Sequence, residues 1–498
     1  VTHTDRSPWP GLLSMIIGFF MILVDATIVT VAIPHIMSGL GAGINEVIWV
    51  TSAYLLAYAV PLLVTGRLGD RFGPKPIFLL GLTVFTASSL WCGLAGSITM
   101  LIVARVVQGL GAALMAPQTM AVIMRTFPPN RRGSAMGLWG GVAGVAMLVG
   151  PLLGGFLIDA AGWEWIFFVN VPVGIAGIVL VAVNVPRLEL HTHSFDLLGV
   201  ALSAVGLFCI VFGIQEGQTY EWGAIPVGLG PLRFDLPIWL IIAFGAVAMA
   251  AFVWWQRVNA REPLVPPRLF EDRNFVLANT AIAMVGMSVA AVNIPIILYV
   301  QSARGFTPTE SALLMVPMAV SSGVLSPFTG RFLQDRDARP YMAAGLLGLA
   351  LANAWYGLWM DPARNPWWLL LPSLFVGLSS SLIWGPLGIV ATRRLSPLLA
   401  GAGSGVYNTT RQVGSVIGSA AISAVITARL VAELGPGAAS QGQGAATGPM
   451  PPQVLEGFSA AMEQSMLLPA GVLLVALAAV LLMENPLRDA ESAVAPSA

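Results

Sequence analysis

Charge is the scarcest property of this chain. Only 10% of its 498 residues are Asp, Glu, Lys or Arg, and 24 basic residues balance 24 acidic ones. A net charge of zero provides neither a basic face for nucleic acid nor an acidic tail. Lys75 is the sole lysine, and the Arg-heavy usage beside abundant Ala, Gly and Pro reads as the codon bias of a GC-rich bacterial genome. The two cysteines, Cys92 and Cys209, both lie inside apolar stretches. They exclude a disulfide framework and read as small buried side chains. The four histidines, His3, His35, His191 and His193, fall in predicted tails or loops, so no metal site is expected. The segment Gly401-Ala402-Gly403-Ser404-Gly405 precedes an apolar helix with no strand before it, and no phosphate-binding G-K-[ST] sequence is present. No nucleotide cofactor and no enzyme activity are therefore expected.

What the chain has in excess is apolar length. With 56% apolar residues and a mean hydropathy of +0.81, it is expected to be an all-α membrane protein, because runs of about 20 apolar residues recur throughout. Fourteen predicted spans lie at 11–34, 47–66, 77–96, 101–123, 134–159, 165–186, 196–216, 237–256, 274–300, 311–333, 341–360, 366–390, 404–428 and 466–483. With the N-terminus placed in the cytoplasm, 18 of the 24 basic residues fall on the inner side, in alternate loops. That asymmetry predicts both termini in the cytoplasm and a multi-pass protein of the bacterial cytoplasmic (inner) membrane.

An internal repeat orders these spans. Gly66-Arg67, Asp70-Arg71 and Pro76 find an imperfect echo roughly 264 residues on, in Gly330-Arg331, Asp335-Arg336 and Pro340, with Gln334 and Asp335 standing where one acid would be expected. A shift of 268 lays Gly133, Gly137 and Gly150 on Gly401, Gly405 and Gly418. The predicted organisation is a six-helix bundle (1–190), an inserted pair of helices (191–260) and a second six-helix bundle (261–498) with an external loop near 431–465. Parallel repeats of this kind place a substrate site between the halves near the midplane.

The motifs then point to a family. Gly66 to Lys75 reads G-R-L-G-D-R-F-G-P-K and resembles the loop between helices two and three of the major facilitator superfamily, with Gly66, Leu68, Asp70, Arg71, Gly73 and Lys75 in matching places. Asp25, Thr27, Val31, Ala32 and Pro34 resemble the L-D-x-T run of helix one. Arg105, Gln108, Gly109 and Gly111 fit R-x-x-Q-G-x-G. Gly150, Pro151, Gly154 and Gly155 fit the G-P-x-x-G-G motif that the resemblance associates with antiporters. Trp163, Trp165, Phe167, Asn170, Pro172 and Gly174 follow the entry to helix six, although Glu164 replaces the usual arginine. Asn408, Arg411, Gln412 and Gly414 fit N-x-x-R-Q-x-G in helix thirteen. Taken in order, they resemble the fourteen-helix drug:proton antiporters, the EmrB/QacA-like family. The resemblance implies the major facilitator fold, with two six-helix halves plus an inserted pair.

Asp25 and Arg105 are the sharpest chemical pair, since a charge deep in a bilayer costs roughly 2.5–3.5 kcal/mol on insertion scales. A desolvated carboxyl is neutral and a nearby guanidinium favours its ionised form, so the pair is expected to act as a proton switch, the alternative being a fixed ion pair for packing. Gly66, Asp70, Arg71, Gly73 and Lys75 are expected to form a cytoplasmic latch, or simply topogenic charge, while Gly150, Pro151, Gly154 and Gly155 allow close packing or bending. Phe20, Met21, Tyr54, Gln108, Met115, Met147, Asn293, Trp384, Tyr407, Asn408, Arg411 and Gln412 are the candidate substrate-binding residues. Gln108 and Met115 share a face with Arg105 that suits either the cavity or helix packing. Arg411 is open between attracting an anionic group, tuning the proton site and bonding to backbone carbonyls.

The expected function is proton-coupled export of lipophilic drugs or other toxic compounds by alternating access. The expected partners are such small molecules, protons and the bilayer, and the expected assembly is a monomer, alone or with an accessory envelope protein. No cofactor is expected, because one proton crossing about 150 mV supplies about 3.5 kcal/mol, a few-hundredfold gradient. A lipid or cell-envelope exporter is the alternative, followed by a proton-coupled nutrient symporter and then a membrane scaffold.

Overall fold

The computed structural model describes residues 7–186, 188, 196–217, 219–229, 232–259, 263–332, 336–393, 397–435 and 450–484. It is helical apart from one hairpin. Crossings one to six are α1 (Trp9–Leu40), the pair α2 (Ile44–Ala59) and α3 (Leu62–Phe72), α4 (Pro74–Gly93), α5 (Ile98–Thr126), α6 (Pro129–Ala161), and the pair α7 (Trp165–Phe168) and α8 (Asn170–Asn184). α9 (Leu197–Gly217) and α10 (Ile238–Val258) follow. Crossings nine to eleven are α11 (Arg273–Leu298) with a π turn at Tyr299–Ala303, the pair α12 (Pro308–Leu313) and α13 (Val316–Phe332), and α14 (Arg339–Leu358). The chain ends with a 3-10 turn (Pro366–Leu369) leading into α15 (Leu370–Ser381) and α16 (Trp384–Arg393), then α17 (Pro397–Leu434), then α18 (Pro452–Ser465) and α19 (Leu467–Leu481).

Twelve helices among the described residues are each long and apolar enough to cross a membrane. The other two crossings are the second, where α2 and α3 meet at Val60-Pro61, and the fifth, α6, which is 33 residues long but has a Gly- and Arg-containing first half. Proline at that junction removes a backbone donor and breaks the continuous helix.

Several expected boundaries move. Helix α1 continues through Pro34 to Leu40, so His35 is helical and half-buried rather than in a loop. His3, His191 and His193 lie outside the described residues. The charged stretch from Gly66 to Phe72 is the end of α3, and the turn shrinks to Gly73, whose φ of +91° is a conformation that side-chain-bearing residues rarely adopt. An antiparallel hairpin, β1 (Ala224–Leu229) and β2 (Leu232–Pro237), joins α9 to α10. The external loop is shorter than 431–465, because α17 runs to Leu434 and α18 is part of the last crossing.

The repeat reappears in contacts. Lys75 Nζ, at the start of α4, donates to the Ala182 carbonyl near the end of α8 at 2.7 Å. Arg339, 264 residues later at the start of α14, donates through Nη1 to the Met483 carbonyl beyond α19 at 3.0 Å. Both cations meet the carbonyl end of a helix, where the dipole favours positive charge. Asp337, which stands where the repeat would place Gly73, pairs instead with Arg339 at 2.6 Å. That arginine and the carboxylate's burial both act on it, and the Arg339 hydrogen bond, the larger influence, holds its carboxyl below the usual range. The second offset holds likewise: a Cβ on Gly150 would strike Thr27 of α1, and one on Gly418 would strike the Met287 backbone of α11.

Crossings one to six pack on one another, as do nine to fourteen, and the two sets meet through α2 with α17 and through α6 with α12 and α13. At the end opposite the termini the apolar core is continuous across both sets. Ser52 and Ser419 share a hydrogen bond at 2.7 Å, and Ser423 donates to Asn45 at 2.8 Å. Gln301 donates to the Val31 carbonyl at 3.1 Å, and Asp159 accepts from the backbone N and the hydroxyl of Thr309. Gly155 sits so close to Pro308 that a Cβ would be 2.8 Å from its carbonyl. At the other end the core divides, with Leu12, Ile16, Ile123, Phe127 and Ala135 in one cluster and Leu269, Phe275 and Val406 in another. Among the described residues, the bundle is thus sealed at one end and its core is parted at the other.

The inserted pair lies against one of the two seams. Helix α9 packs on α10, α17 and α2. Glu216 accepts from Trp49 Nε1 at 2.6 Å and from Asn45 Nδ2 at 3.0 Å.

Candidate functional site

The most polar point of the interior is Asp25, on α1. Its side chain and that of Arg105, on α5, are both fully buried. Arg105 Nη1 donates to Asp25 Oδ2 at 2.5 Å and to Gln108 Oε1 at 2.7 Å, and its Nε donates to the Val50 carbonyl of α2 at 3.1 Å. The guanidinium lies 4.0 Å from the centre of the Tyr54 ring, a cation-π contact. The other Asp25 oxygen accepts from Gln108 Nε2 at 3.0 Å and from Asn170 Nδ2 at 3.3 Å. Ser89, on α4, accepts from the same two amides at 3.2 and 3.0 Å and donates to the Phe167 carbonyl at 3.0 Å.

With α2 and α4 holding them in place, side chains of α5 and α8 therefore bond the α1 carboxylate directly. Gln108 reaches it because it lies three residues after Arg105 on the same face of α5, while Asn170 is the first residue of α8. A buried carboxylate of this kind persists only when ion-paired and fully hydrogen-bonded. Proton uptake would remove its charge and one acceptor position, which weakens its hold on Arg105, while the amides of Gln108 and Asn170 keep Ser89 as an acceptor. The pair cannot exchange protons with solvent in this conformation, since every member of the set is at most 4% exposed. Arg105 keeps one buried nitrogen, Nη2, without a partner.

The expected residues divide. Tyr54 belongs to the Arg105 site and Gln108 to the Asp25 network. Met115 is on the packing face, because its side chain fills the gap left by Gly18 on α1 and Gly81 on α4. Met21 is buried in the same cluster as Tyr54 and Met115. Phe20 lines an apolar groove of about 590 Å³ with Ile16, Ile17, Val142, Pro172, Val173 and Ala176, all from the first six crossings, and also packs against the core shared by both halves. Trp384 and Tyr407 pack against the shared core, Asn293 is half-buried on α11, and Asn408, Arg411 and Gln412 lie on α17. The side chains of Met147 and Asp70 lie outside the described set.

Gly150 and Gly154 seat α6 on α1, at Thr27 and Ile28, whereas Gly155 faces Pro308 in the other set. Pro151 sits within α6, which continues without a break. Around the expected latch, a Cβ on Gly66 would make only ordinary contact with Pro117, Arg71 lies beside the Phe72 ring at 5.5 Å, and Lys75 bonds within its own half. Ser89 and the carboxylate contact of Asn170 escape a sequence reading. A lone mid-helix serine is unremarkable, and Asn170 is legible only as part of the helix-six motif.

Comparison with known proteins gives the lineage. The sequence profile of the Major Facilitator Superfamily matches residues 15–419. An uncharacterized MFS-type transporter of Mycobacterium tuberculosis is 49% identical over 483 residues, 96% of this chain and 81% of that protein. The tetracenomycin C resistance and export protein of Streptomyces glaucescens is 33% identical over 444 residues, 86% of this chain and 79% of its own length. Among solved structures, an inward-facing, unoccupied bacterial homolog of the human lysosomal transporter Spinster superposes with a TM-score of 0.65 at 17% identity, covering 96% of this chain and 97% of that one. The chain belongs to the Major Facilitator Superfamily, in the fourteen-helix drug:proton antiporter family.

Proposed function

We propose that the protein exports lipophilic, aromatic small molecules across the bacterial cytoplasmic membrane in exchange for protons, with Asp25 as the proton carrier and Arg105 as its switch. The observation that carries the reading is the Asp25 network: a wholly buried carboxylate held by one cation and two amides, in a membrane interior where such a group is costly to keep. The Streptomyces relative, a tetracenomycin C resistance and export protein, supports export of a small molecule.

With the arginine-rich end in the cytoplasm, the parted end faces inward and the sealed end outward. The conformation is then the inward-facing one, in which substrate enters from the cytoplasm or inner leaflet. The proton gradient supplies the energy, without cofactor and without chemical change to the substrate.

Asp25→Asn keeps shape and amide contacts but removes the titrating group. Purified variant in liposomes with an imposed pH gradient should fold and bind yet fail to drive uphill export of a lipophilic dye. Undiminished uphill export by that variant would reject Asp25 as the carrier.

A further inference from the structure

Among the described residues, Arg411 makes no ion pair. It lies on α17, 14 residues after Pro397 and 23 before Leu434, so it stands about 21 Å from one tip and about 35 Å from the other. Ser419, which helps to close the sealed end, is eight residues further along the helix, or about 12 Å. Arg411 is therefore below the seal, on the side where the halves part.

Its backbone is fixed. Gly286 of α11 packs directly on the Arg411 carbonyl, and Ser415 Oγ lies 3.2 Å from both the Gly286 and the Arg411 carbonyl oxygens. Its guanidinium, by contrast, makes neither an ion pair nor a hydrogen bond among the described residues. Of the three roles open from sequence, bonding to backbone carbonyls is thereby removed.

The surroundings are aromatic. Across the α2–α17 seam lies Tyr58, six residues from Ser52 on the parted side as Arg411 is eight from Ser419, and Tyr407 is one turn before Arg411 on α17. Tyr58 stacks on Tyr54 with centroids 6.3 Å apart and planes 11° apart, and Tyr54 in turn covers Arg105. The Tyr407 hydroxyl is buried with no partner. Asp25 and Arg105 cancel each other's charge, so among the described residues Arg411 leaves this part of the bundle positive.

We infer that Arg411, with the Tyr407 hydroxyl and the Tyr54–Tyr58 stack, is a recognition site for an aromatic anion: a planar ring bearing one carboxylate or acidic phenolate. A carboxylate would accept from the guanidinium fork and from the Tyr407 hydroxyl, and its ring would lie along the tyrosines. A cationic drug would meet an unscreened like charge, which narrows the substrate class that the sequence left broad. The inference rests on the export reading, and it ties substrate charge to the far side of the aromatic stack that covers the proton switch.

The test uses three isosteric probes, anthracene-2-carboxylate, anthracene-2-carboxamide and 2-(aminomethyl)anthracene, titrated by fluorescence into purified full-length protein at fixed detergent concentration. The wild type should bind the carboxylate at least about tenfold more tightly than either other probe, which is the low end for a hydrogen bond to a charged group. Arg411→Gln should erase that preference while leaving the carboxamide within about twofold, and Arg411→Lys should keep part of it, as a point charge without the fork. Equal binding of all three probes by the wild type, no binding of the carboxylate at millimolar concentration, or an equal loss for all three in Arg411→Gln would overturn the assignment. No gradient is involved, so a protein that fails this test but loses uphill export in Asp25→Asn remains an exporter without this site.

Discussion

The Ser52–Ser419 contact allows the seal to be weighed. Both hydroxyls are fully buried, they bond only across the seam at 2.7 Å, and each would reach water once the sealed end opened. Ser52→Ala therefore removes one partner and leaves the Ser419 hydroxyl unsatisfied in the sealed state alone. The cost is about 1–3 kcal/mol, which should shift the equilibrium toward the opened state by roughly five- to hundredfold. Ser419→Ala should do the same. The double variant leaves no stranded hydroxyl, and two methyl groups meet in an apolar seam, so its equilibrium should return close to wild type. The expected signature is strong non-additivity. Spin labels at Ser38 and Ala363, exposed positions at the sealed end in opposite halves, would report it: the long-distance population should grow in each single variant and shrink again in the double. Single variants with unchanged distances, or a double that opens as far as the sum of the singles, would refute the reasoning.

Gly155→Ala places a Cβ 2.8 Å from both the Pro308 carbonyl oxygen and Thr309 Cα, so it should wedge the same seal open. Gly154→Ala, which presses mainly on the Ile28 side chain, should lower thermal stability without changing the Ser38–Ala363 distances; identical distances in the two variants would show that Gly155 has no role in closure. Arg105→Ala leaves Asp25 with amide donors only, and it should preserve substrate counterflow in liposomes while abolishing accumulation driven by a pH gradient. Accumulation at wild-type level in both Arg105→Ala and Arg105→Lys would reduce Arg105 to packing.

Sequence alone displayed the crossings and the ionic pair because both rest on the same physics, the cost of polarity in hydrocarbon. Asp25 and Arg105 stand out against apolar neighbours, and their partnership follows from two charges that must cancel. What surrounds them was less legible. Gln108 could be placed on the right face, but the same periodicity carried Met115 with it, and only the small residues Gly18 and Gly81 opposite decide that Met115 is packed away. The surroundings of Phe20 were hidden for a similar reason: one helix offers apolar side chains in every direction, and the sequence does not say which neighbour fills each. The break at Val60-Pro61 carries a proline signal, whereas the helical course of Gly66 to Phe72 defies its glycines and charges, because the segment is held from outside. Gly69, for one, is pressed by the Gln118 side chain of α5. The hairpin at 224–237 lay hidden because its apolar and turn residues resemble an ordinary loop between spans.

The placement of α9 has a consequence for molecules that arrive dissolved in the bilayer. A fold made of two like halves would present two like flanks to lipid, one at each seam. Here the α2–α17 flank is walled by α9, with Glu216 anchored to Asn45 and Trp49. Among the described residues, the α6–α13 flank has no such wall. A lipid-borne guest thus meets an extra wall on one side alone, and Asn45, which bonds both Glu216 and Ser423, ties that wall to the sealed end.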